Sequence, residues 1–553
     1  MAPAFIEDDI FRTFQLLPSV MSLNDFSAAL IVRGGSPDEN LVLLDNTQIY
    51  NPYHIGGIFS TFNADAVSNS EFISGGFQSE YGGHLSSVIN ITTREGNSKN
   101  GKLPDDHWLK DYLDLSGIQG EISLLSTKIL AEGPFYKGSW FFSGRRTWFD
   151  QMAKAYYQFT DQKQNWNYYF WDTNFKIHSD LSSEHQFTYS QYSGLDDLNI
   201  NVGGIDFPEI DFVWTWGNRT NSLNWRYFPA SDFILETTLS RAKYFFDVNF
   251  EFIVSRESSI IDTIQSTGFE AIIDNIVDDQ SFNQKITWYF NDQFKFMAGW
   301  EYKILSLDYK EAFAGSTIRH WDQSPYIAST FLKNTIRLNP LVSCEIGVRA
   351  TKYELYQKII TDPRLSCKIY PHPNLIIKGS WGQYSQYLFT INQDDQLLRI
   401  VDFWQPILEG YEPQRTQQFI LGAEYWAGYG ITVSLDAYYK PYSNILDLSK
   451  VFNPSESEQG FASGTAVAKG IELLVKKTEG KLNGWVGYSL SSIKKSVDYN
   501  KNGILEESLG EVYKAKYDVP HSFNTVMNYH LSKKHSISIS GVYHTGQPFT
   551  PPS

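Results

Sequence analysis

The chain has 553 residues and a net charge of −16; 42% of its residues are hydrophobic and 16% are aromatic. That apolar content excludes a disordered chain, and the missing basic footprint excludes a nucleic-acid partner. Mean hydropathy is only −0.33, yet there are 15 Trp, 34 Tyr and 38 Phe. A membrane β-barrel explains both, because its strands alternate apolar-out with polar-in and its rims carry aromatic girdles.

The sequence contains no run of about 18 apolar residues, so no helical span is predicted. The start, Met1-Ala2-Pro3-Ala4-Phe5-Ile6-Glu7-Asp8-Asp9, has neither a basic nor an apolar leader region, so no signal peptide is visible. An outer-membrane protein needs one: either the sequence begins late or the membrane reading fails.

Residues 1–97 hold short apolar runs broken by glycine pairs at Gly34-Gly35, Gly56-Gly57, Gly75-Gly76 and Gly82-Gly83. This predicts a compact, turn-rich α/β domain. Leu41–Leu44 reads as a buried strand ending at Asp45-Asn46, where Asn46 tolerates a left-handed turn. Val88–Thr92 reads as a second strand.

From about residue 108 the pattern alternates with period two, the signature of strands with two unlike faces. Phe294, Phe296, Ala298, Trp300 and Tyr302 share one face, and Lys295, Met297, Gly299, Glu301 and Lys303 the other. Cys344, Ile346 and Val348 oppose Glu345, Gly347 and Arg349; Phe419, Leu421, Ala423 and Tyr425 oppose Gln418, Gly422 and Glu424, with Ile420 an apolar intruder. Short polar turns (291–292, 339–340, 371–374, 532–534) alternate with longer loops expected near 195–212, 252–279, 388–414, 449–465 and 498–520. Short connections on one rim and long ones on the other are the arrangement of outer-membrane barrels.

Two blocks carry a family resemblance. Ile31-Val32-Arg33-Gly34-Gly35-Ser36-Pro37-Asp38-Glu39-Asn40-Leu41-Val42-Leu43-Leu44-Asp45 is the first. Ile73-Ser74-Gly75-Gly76-Phe77-Gln78-Ser79-Glu80-Tyr81-Gly82-Gly83, followed by Ser86–Arg94, is the second. Both resemble the plug of TonB-dependent outer-membrane receptors. Gly144-Arg145-Arg146-Thr147 resembles an early barrel strand of the branch found mainly in Bacteroidetes-type bacteria. Lys469-Gly470-Ile471-Glu472 and Thr545-Gly546-Gln547-Pro548-Phe549 resemble its late strands. The departures are Ser74 where a basic residue is usual, Asn46 where a glycine is common, and His84 where an arginine is frequent.

The resemblance implies a mainly β fold: a small α/β plug domain, residues 1–97, inside a transmembrane antiparallel β-barrel, residues 98–553. Alternation gives about nineteen strands, the first pair near 108–118 and 121–133 and the last near 535–546, against an expected 22 for plugged transporters. The barrel is therefore expected to be incomplete, about three strands short of closure, and the chain a fragment truncated at both ends, with no match to the Ton box. The implied function is transport across the outer membrane of a Gram-negative bacterium, without enzymatic chemistry or cofactor. The cargo is a scarce nutrient of siderophore, cobalamin, glycan or peptide class, and import is energised by the TonB-ExbB-ExbD complex. The alternative is a plugged receptor for signalling or surface binding. Outer-membrane lipid and an unknown small ligand are the other partners.

The apical loop containing Asn51, Tyr53 and His54 is one ligand-contact candidate, and Phe403 and Trp404 in a long loop are another. Each has a plainer reading as packing. Arg33 is expected to pair with a carboxylate, Glu80 in the plug or Glu301, Glu345 or Glu424 on the inner wall. Gly34, Gly35, Asp45, Gly75, Gly76, Glu80, Tyr81, Gly82 and Gly83 are expected plug structural positions. Cys344 and Cys367 read either as cross-strand neighbours able to form a disulfide or as two small lipid-facing side chains. Asp498-Tyr499-Asn500-Lys501-Asn502-Gly503 approaches a calcium loop, but Leu509 stands where its closing glutamate belongs; a solvated turn is the default, and no metal site is assigned.

Overall fold

The computed structural model describes the chain except residues 1–6, 23–26, 55–56, 99–116, 161–164, 205–206, 259–262, 392–402, 449–460, 499–511 and 549–553. Two bodies nest. The inner one is built on a four-stranded sheet in the order Thr47–Gln48, Leu41–Leu44, Val88–Thr93, Val67–Ile73. Leu41–Leu44 runs parallel to Val88–Thr93 and the outer pairs are antiparallel. The tight link between Leu44 and Thr47 forces both Asp45 (φ 48°) and Asn46 (φ 65°) into the left-handed region, one residue more than the sequence suggested. Asp45 also receives Thr93 N and Oγ1 at 3.0 and 2.6 Å, tying the turn to the neighbouring strand.

The outer body is a ring of strand segments from Gly117–Ile122 to Ser536–His544, every successive pair antiparallel. Two segments continue a neighbour. Ser316–Gln323 pairs with the far part of Phe294–Phe313 while Tyr326–Asn339 pairs with the near part, and Tyr513–Lys514 and His521–His530 share Leu482–Asp498 in the same way. Among the described residues the wall thus has nineteen strand positions, matching the count from alternation.

The strand order is that of a closed barrel, with Ser536–His544 next to Gly117–Ile122, which corrects the expectation of a sheet ending three strands short. Alternation gives the number of strands but carries no information on whether the end strands meet. Nineteen is odd, so the first and last strands point the same way and an antiparallel ladder cannot form at that seam. Both seam strands are short and exposed on nearly every residue.

Outward-facing side chains are apolar and exposed, among them Phe296, Trp300, Leu332, Ile346, Leu421 and Ile471, whereas alternate residues point in and are buried by the inner domain. The expected two faces of 294–303 are therefore assigned, with Phe294, Phe296, Trp300 and Tyr302 outward and Met297, Glu301 and Lys303 inward.

Several predicted boundaries shift. The first two described strands are Gly117–Ile122 and Ser126–Phe135, so the break expected at 117–120 falls inside a strand; residues 108–116 lie outside the described residues. The expected loops at 195–212 and 252–279 are largely strand, because His185–Gly204, Phe207–Ala230, Phe233–Ser258 and Thr263–Tyr289 run 20, 24, 26 and 27 residues. In the upper parts of these strands the inward side chains are apolar too, Trp214, Trp216, Tyr244 and Phe246 being buried in the bore, so the apolar-out alternation is lost and such a stretch reads as loop. Thr545–Pro548 lie beyond the last strand rather than in it.

Candidate functional site

The inner domain is held in the barrel by buried charges on several sides. Arg33 (φ 47°) presents Nε and Nη2 to Glu472 Oε1 and Oε2, both at 2.6 Å, with Asp436 Oδ2 3.5 Å away and the Tyr438 ring beneath at 5.3 Å. The expected partners Glu80, Glu301, Glu345 and Glu424 are not used by Arg33. Its turn faces other strands, for a Cβ on Gly34 (φ +77°) would meet Ala468 Cβ and Ile493 Cγ1 at 2.8 Å, so a side chain cannot stand there. Glu80 instead pairs with Lys333 Nζ at 2.6 Å, and Glu301 pairs with Arg349 and Lys303.

The 77–82 loop is gripped through its carbonyls. Arg364 Nη1 donates to Phe77 O at 3.2 Å, to Tyr81 O at 2.7 Å and to Gln78 O, and Arg349 Nη1 donates to Glu80 O at 3.2 Å. Gly82 is packed directly against the Arg349 guanidinium. Gly75 and Gly76 lie against Gln418, whose Oε1 accepts from Gly76 N at 2.8 Å, and Gly35 lies against Ser86. Gly83 (φ 77°) leads to His84. Burial, then Lys303, pushes the His84 imidazole down to about 4, so this residue is neutral and does not replace the charge of the family's usual arginine. It binds Gln48 Nε2 at 3.1 Å and Asp38 O at 3.3 Å.

Asp45 accepts from Lys176 Nζ at 2.6 Å. At the far end of the inner domain, His54 Nδ1 lies 2.6 Å from Asp196 Oδ2, and Nε2 lies 3.6 Å from Asp172 Oδ2. Its ring stacks on Phe170 with centroids 4.0 Å apart. Arg145 Nε donates to Asp172 Oδ2 at 2.6 Å, and Nη1 lies 3.6 Å from Glu7. Burial opposes protonation of His54, but Asp196 and Asp172 outweigh it and hold the imidazole above its ordinary value.

Of the five ligand-contact candidates, Asn51, His54, Phe403 and Trp404 border one aromatic cluster, whereas the Tyr53 side chain packs into the plug's own core; all of them are packed. Asn51 O accepts from Asn218 Nδ2 at 2.9 Å, and Tyr53 sits edge-on to Phe11 at 5.9 Å. Leu388–Ile391 and Phe403–Pro406 form a hairpin from a long-rim connection folded into the barrel. There Trp404 is edge-on to Tyr50 at 5.3 Å, and Phe403 meets Phe246 and Tyr309 at 5.3 and 5.6 Å. Asn275 holds the Trp404 backbone at both N (3.1 Å) and O (3.4 Å), and Tyr353 Oη donates to Ile407 O at 2.7 Å. The indole nitrogens of Trp214 and Trp404 are buried without a hydrogen-bond partner, so this cluster keeps unused donors.

Cys344 and Cys367 face each other across adjacent strands and are joined, with Cα atoms 4.1 Å apart. Of the two readings the sequence left open, the disulfide is the one realised. Residues 499–511 of the calcium-like stretch lie outside the described residues.

Sequence reasoning missed Glu472, Asp436, Asp172, Asp196, Lys333 and Arg364. Arg145 and Glu472 lay inside quoted motifs. The signal was present, since a charged residue in the inward phase of a membrane strand must find a partner, but period two does not say which.

A barrel whose bore is filled by a separate domain, held by buried ion pairs, defines a plugged membrane transporter. The chain belongs to the TonB-dependent receptor family: its residues 147–548 match the family's model described as "TonB dependent receptor-like, beta-barrel". Members of that family are outer-membrane proteins of Gram-negative bacteria, transporters and not enzymes, and the family works with TonB-ExbB-ExbD and binds small ligands.

No curated protein matches the chain. Among solved structures it resembles the FrpB iron transporter (F3-3 variant) from Neisseria meningitidis, with TM-score 0.65 and 12% identity over 97% of this chain and 84% of that one. The siderophore receptor PirA from Acinetobacter baumannii gives 0.63 and 12% over 99% and 85%. The alcaligin outer-membrane receptor FauA from Bordetella pertussis gives 0.61 and 12% over 97% and 85%. At such identity the likeness is one of fold.

Proposed function

We propose that the protein imports a scarce nutrient across the outer membrane, using work delivered to the plug by the TonB-ExbB-ExbD complex. The observation that carries this reading is the set of buried ion pairs between plug and wall, Arg33–Glu472, Lys333–Glu80 and His54–Asp196. They close the bore at rest, and breaking one side of such a pair costs about 3–5 kcal/mol, so passage calls for an external source of work. The aromatic cluster under the hairpin, with His54, Phe403 and Trp404 around it, is the place for the ligand, reached when the hairpin lifts.

Ferric siderophore chelates are the first cargo to test, because the structural relatives are named as iron transporters and siderophore receptors. The experiment is accumulation of radio-iron from a panel of ferric siderophores by cells with and without the gene, each with and without a protonophore. Gene-dependent, protonophore-sensitive accumulation supports import. Gene-dependent surface binding without accumulation overturns import in favour of a receptor.

A further inference from the structure

The plug meets the wall differently on its two sides. Against the strands from Leu375–Gln386 to Leu482–Asp498 the contact is closed: plug residues Ile31, Leu85 and Val88 are buried with Tyr442, Ala468 and Ile493 in one apolar cluster, and the buried Arg33–Glu472 pair is locked in beside it. On the other side, across Asn165–Asp180 to Phe294–Phe313, a cavity of about 360 Å³ separates plug and wall. Its lining is polar: Asp45, Lys176, Asp279, Glu301 and Lys303 stand among many Ser, Thr and Asn side chains. Its lower end reaches Arg226, Glu236 and Lys285, close to the short turns at 231–232 and 290–293.

One layer of side chains closes the cavity above. Tyr50 Oη donates to Asp279 Oδ2 at 2.8 Å. Lys303 Nζ lies 3.5 Å from Asp279 and 3.4 Å from Glu301, and donates to Gln48 Oε1 at 3.2 Å. Beyond that layer a void of about 30 Å³ runs past His84 to Tyr387 and Leu388 at the foot of the hairpin. That is room for about one water.

We infer that the ligand's way inward runs on this polar side, with Tyr50, Asp279 and Lys303 as its gate, while the apolar seam stays shut. This rests on the reading of the protein as an energised importer. Parting the seam exposes apolar surface of plug and wall together to water and also pulls apart the buried Arg33–Glu472 pair. Parting the gate exchanges a few hydrogen bonds for hydration, a far smaller net change. A lining of both charge signs with many hydroxyls and amides suits a hydroxyl- or amide-rich solute without strong net charge. An apolar solute finds few apolar side chains there, Leu41, Leu43 and Phe331 among them, and a strongly charged one meets its own sign on the way.

The only two cysteines are joined to each other, so an introduced cysteine is the sole free thiol. Three variants of the full chain are made: Ser281→Cys on the cavity wall, His84→Cys behind the gate and Ala468→Cys in the seam, with Ser329→Cys, which lines the void behind the gate, in reserve should His84→Cys fail to fold. Cells carrying the energising complex are treated with a small cationic methanethiosulfonate reagent, with and without a protonophore. Ser281→Cys reacts in both conditions, His84→Cys reacts several-fold faster when energised, and Ala468→Cys stays unreactive. If Ala468→Cys accelerates as much as His84→Cys, the one-sided route is overturned and energised import stands. If neither buried thiol responds to the protonophore, both fall together.

Discussion

The Arg33–Glu472 pair allows the hold on the plug to be measured. Arg33 is 4% exposed and Glu472 7%, so the two hydrogen bonds at 2.6 Å are made almost out of water. Arg33→Met leaves Glu472 buried without its counter-ion and also removes the contact over Tyr438; the expected loss is about 3–5 kcal/mol. Glu472→Leu is milder, because Arg33 still has Asp436 at 3.5 Å, and about 1–3 kcal/mol is expected. The double variant replaces ions by packed apolar groups and should lie within about 1 kcal/mol of the parent, since Asp436 keeps Lys378 at 3.3 Å. The order Arg33→Met, then Glu472→Leu, then the double is the signature. Denaturant unfolding of purified protein in detergent, followed by plug proteolysis, reads it. Single variants of equal cost, or a double equal to their sum, would refute the account of a coupled, desolvated pair.

Other consequences are as direct. Because His54 is held above its ordinary value, its contribution is fully present below about pH 6.5 and fades as pH rises through the raised value; thermal scans should show a declining midpoint on the alkaline side, flattened in His54→Gln. His84 behaves oppositely. With its value lowered to about 4, folding is penalised as pH falls from about 6.5 toward 4, by about 3 kcal/mol in full, and His84→Gln should soften the acid limb of the same scans. Removing the Cys344–Cys367 link, 23 residues apart in sequence, should cost about 3 kcal/mol by the chain-entropy argument; calorimetry of Cys344→Ala/Cys367→Ala against the parent checks it, and an unchanged melting point counts against it. Trp404→Ala removes a side chain 4% exposed and should loosen the hairpin by about 3–5 kcal/mol, seen as new protease cleavage between strands 375–386 and 414–428.

The fold was legible because its two signals are local. Glycine pairs and the Leu41–Leu44 and Val88–Thr93 runs mark the plug, and the alternation of Phe294 to Tyr302 against Lys295 to Lys303 marks a two-faced wall. The long upper strands were hidden, since Phe207–Ala230 and Thr263–Tyr289 turn apolar residues such as Trp214, Trp216 and Val277 into the bore, which breaks the apolar-out pattern. Partners across the bore were hidden for a different reason. Arg33 announced that it needs a carboxylate, but Glu472 lies 439 residues away, and only the rotation of plug within barrel selects it over Glu301 or Glu345. The inward hairpin was legible as an aromatic segment, while its direction of folding depends on Asn275 and Tyr353, far off in sequence.

The wall strands differ greatly in length. Gly138–Thr147 has 10 residues and Thr263–Tyr289 has 27. At about 3.3 Å per residue and a tilt near 40°, the first rises roughly 25 Å, about the thickness of the apolar band, and the second nearly three times as far. The wall is therefore uneven: the strands from His185–Gly204 to Thr263–Tyr289 stand as a parapet above the shorter ones such as Val342–Tyr353 and Leu375–Gln386. On its inner side the parapet carries Trp214 and Phe246 down to the hairpin, so its height and the aromatic cluster belong to the same strands. Large surface-binding agents such as antibodies meet the parapet first and can occupy it without covering the entrance.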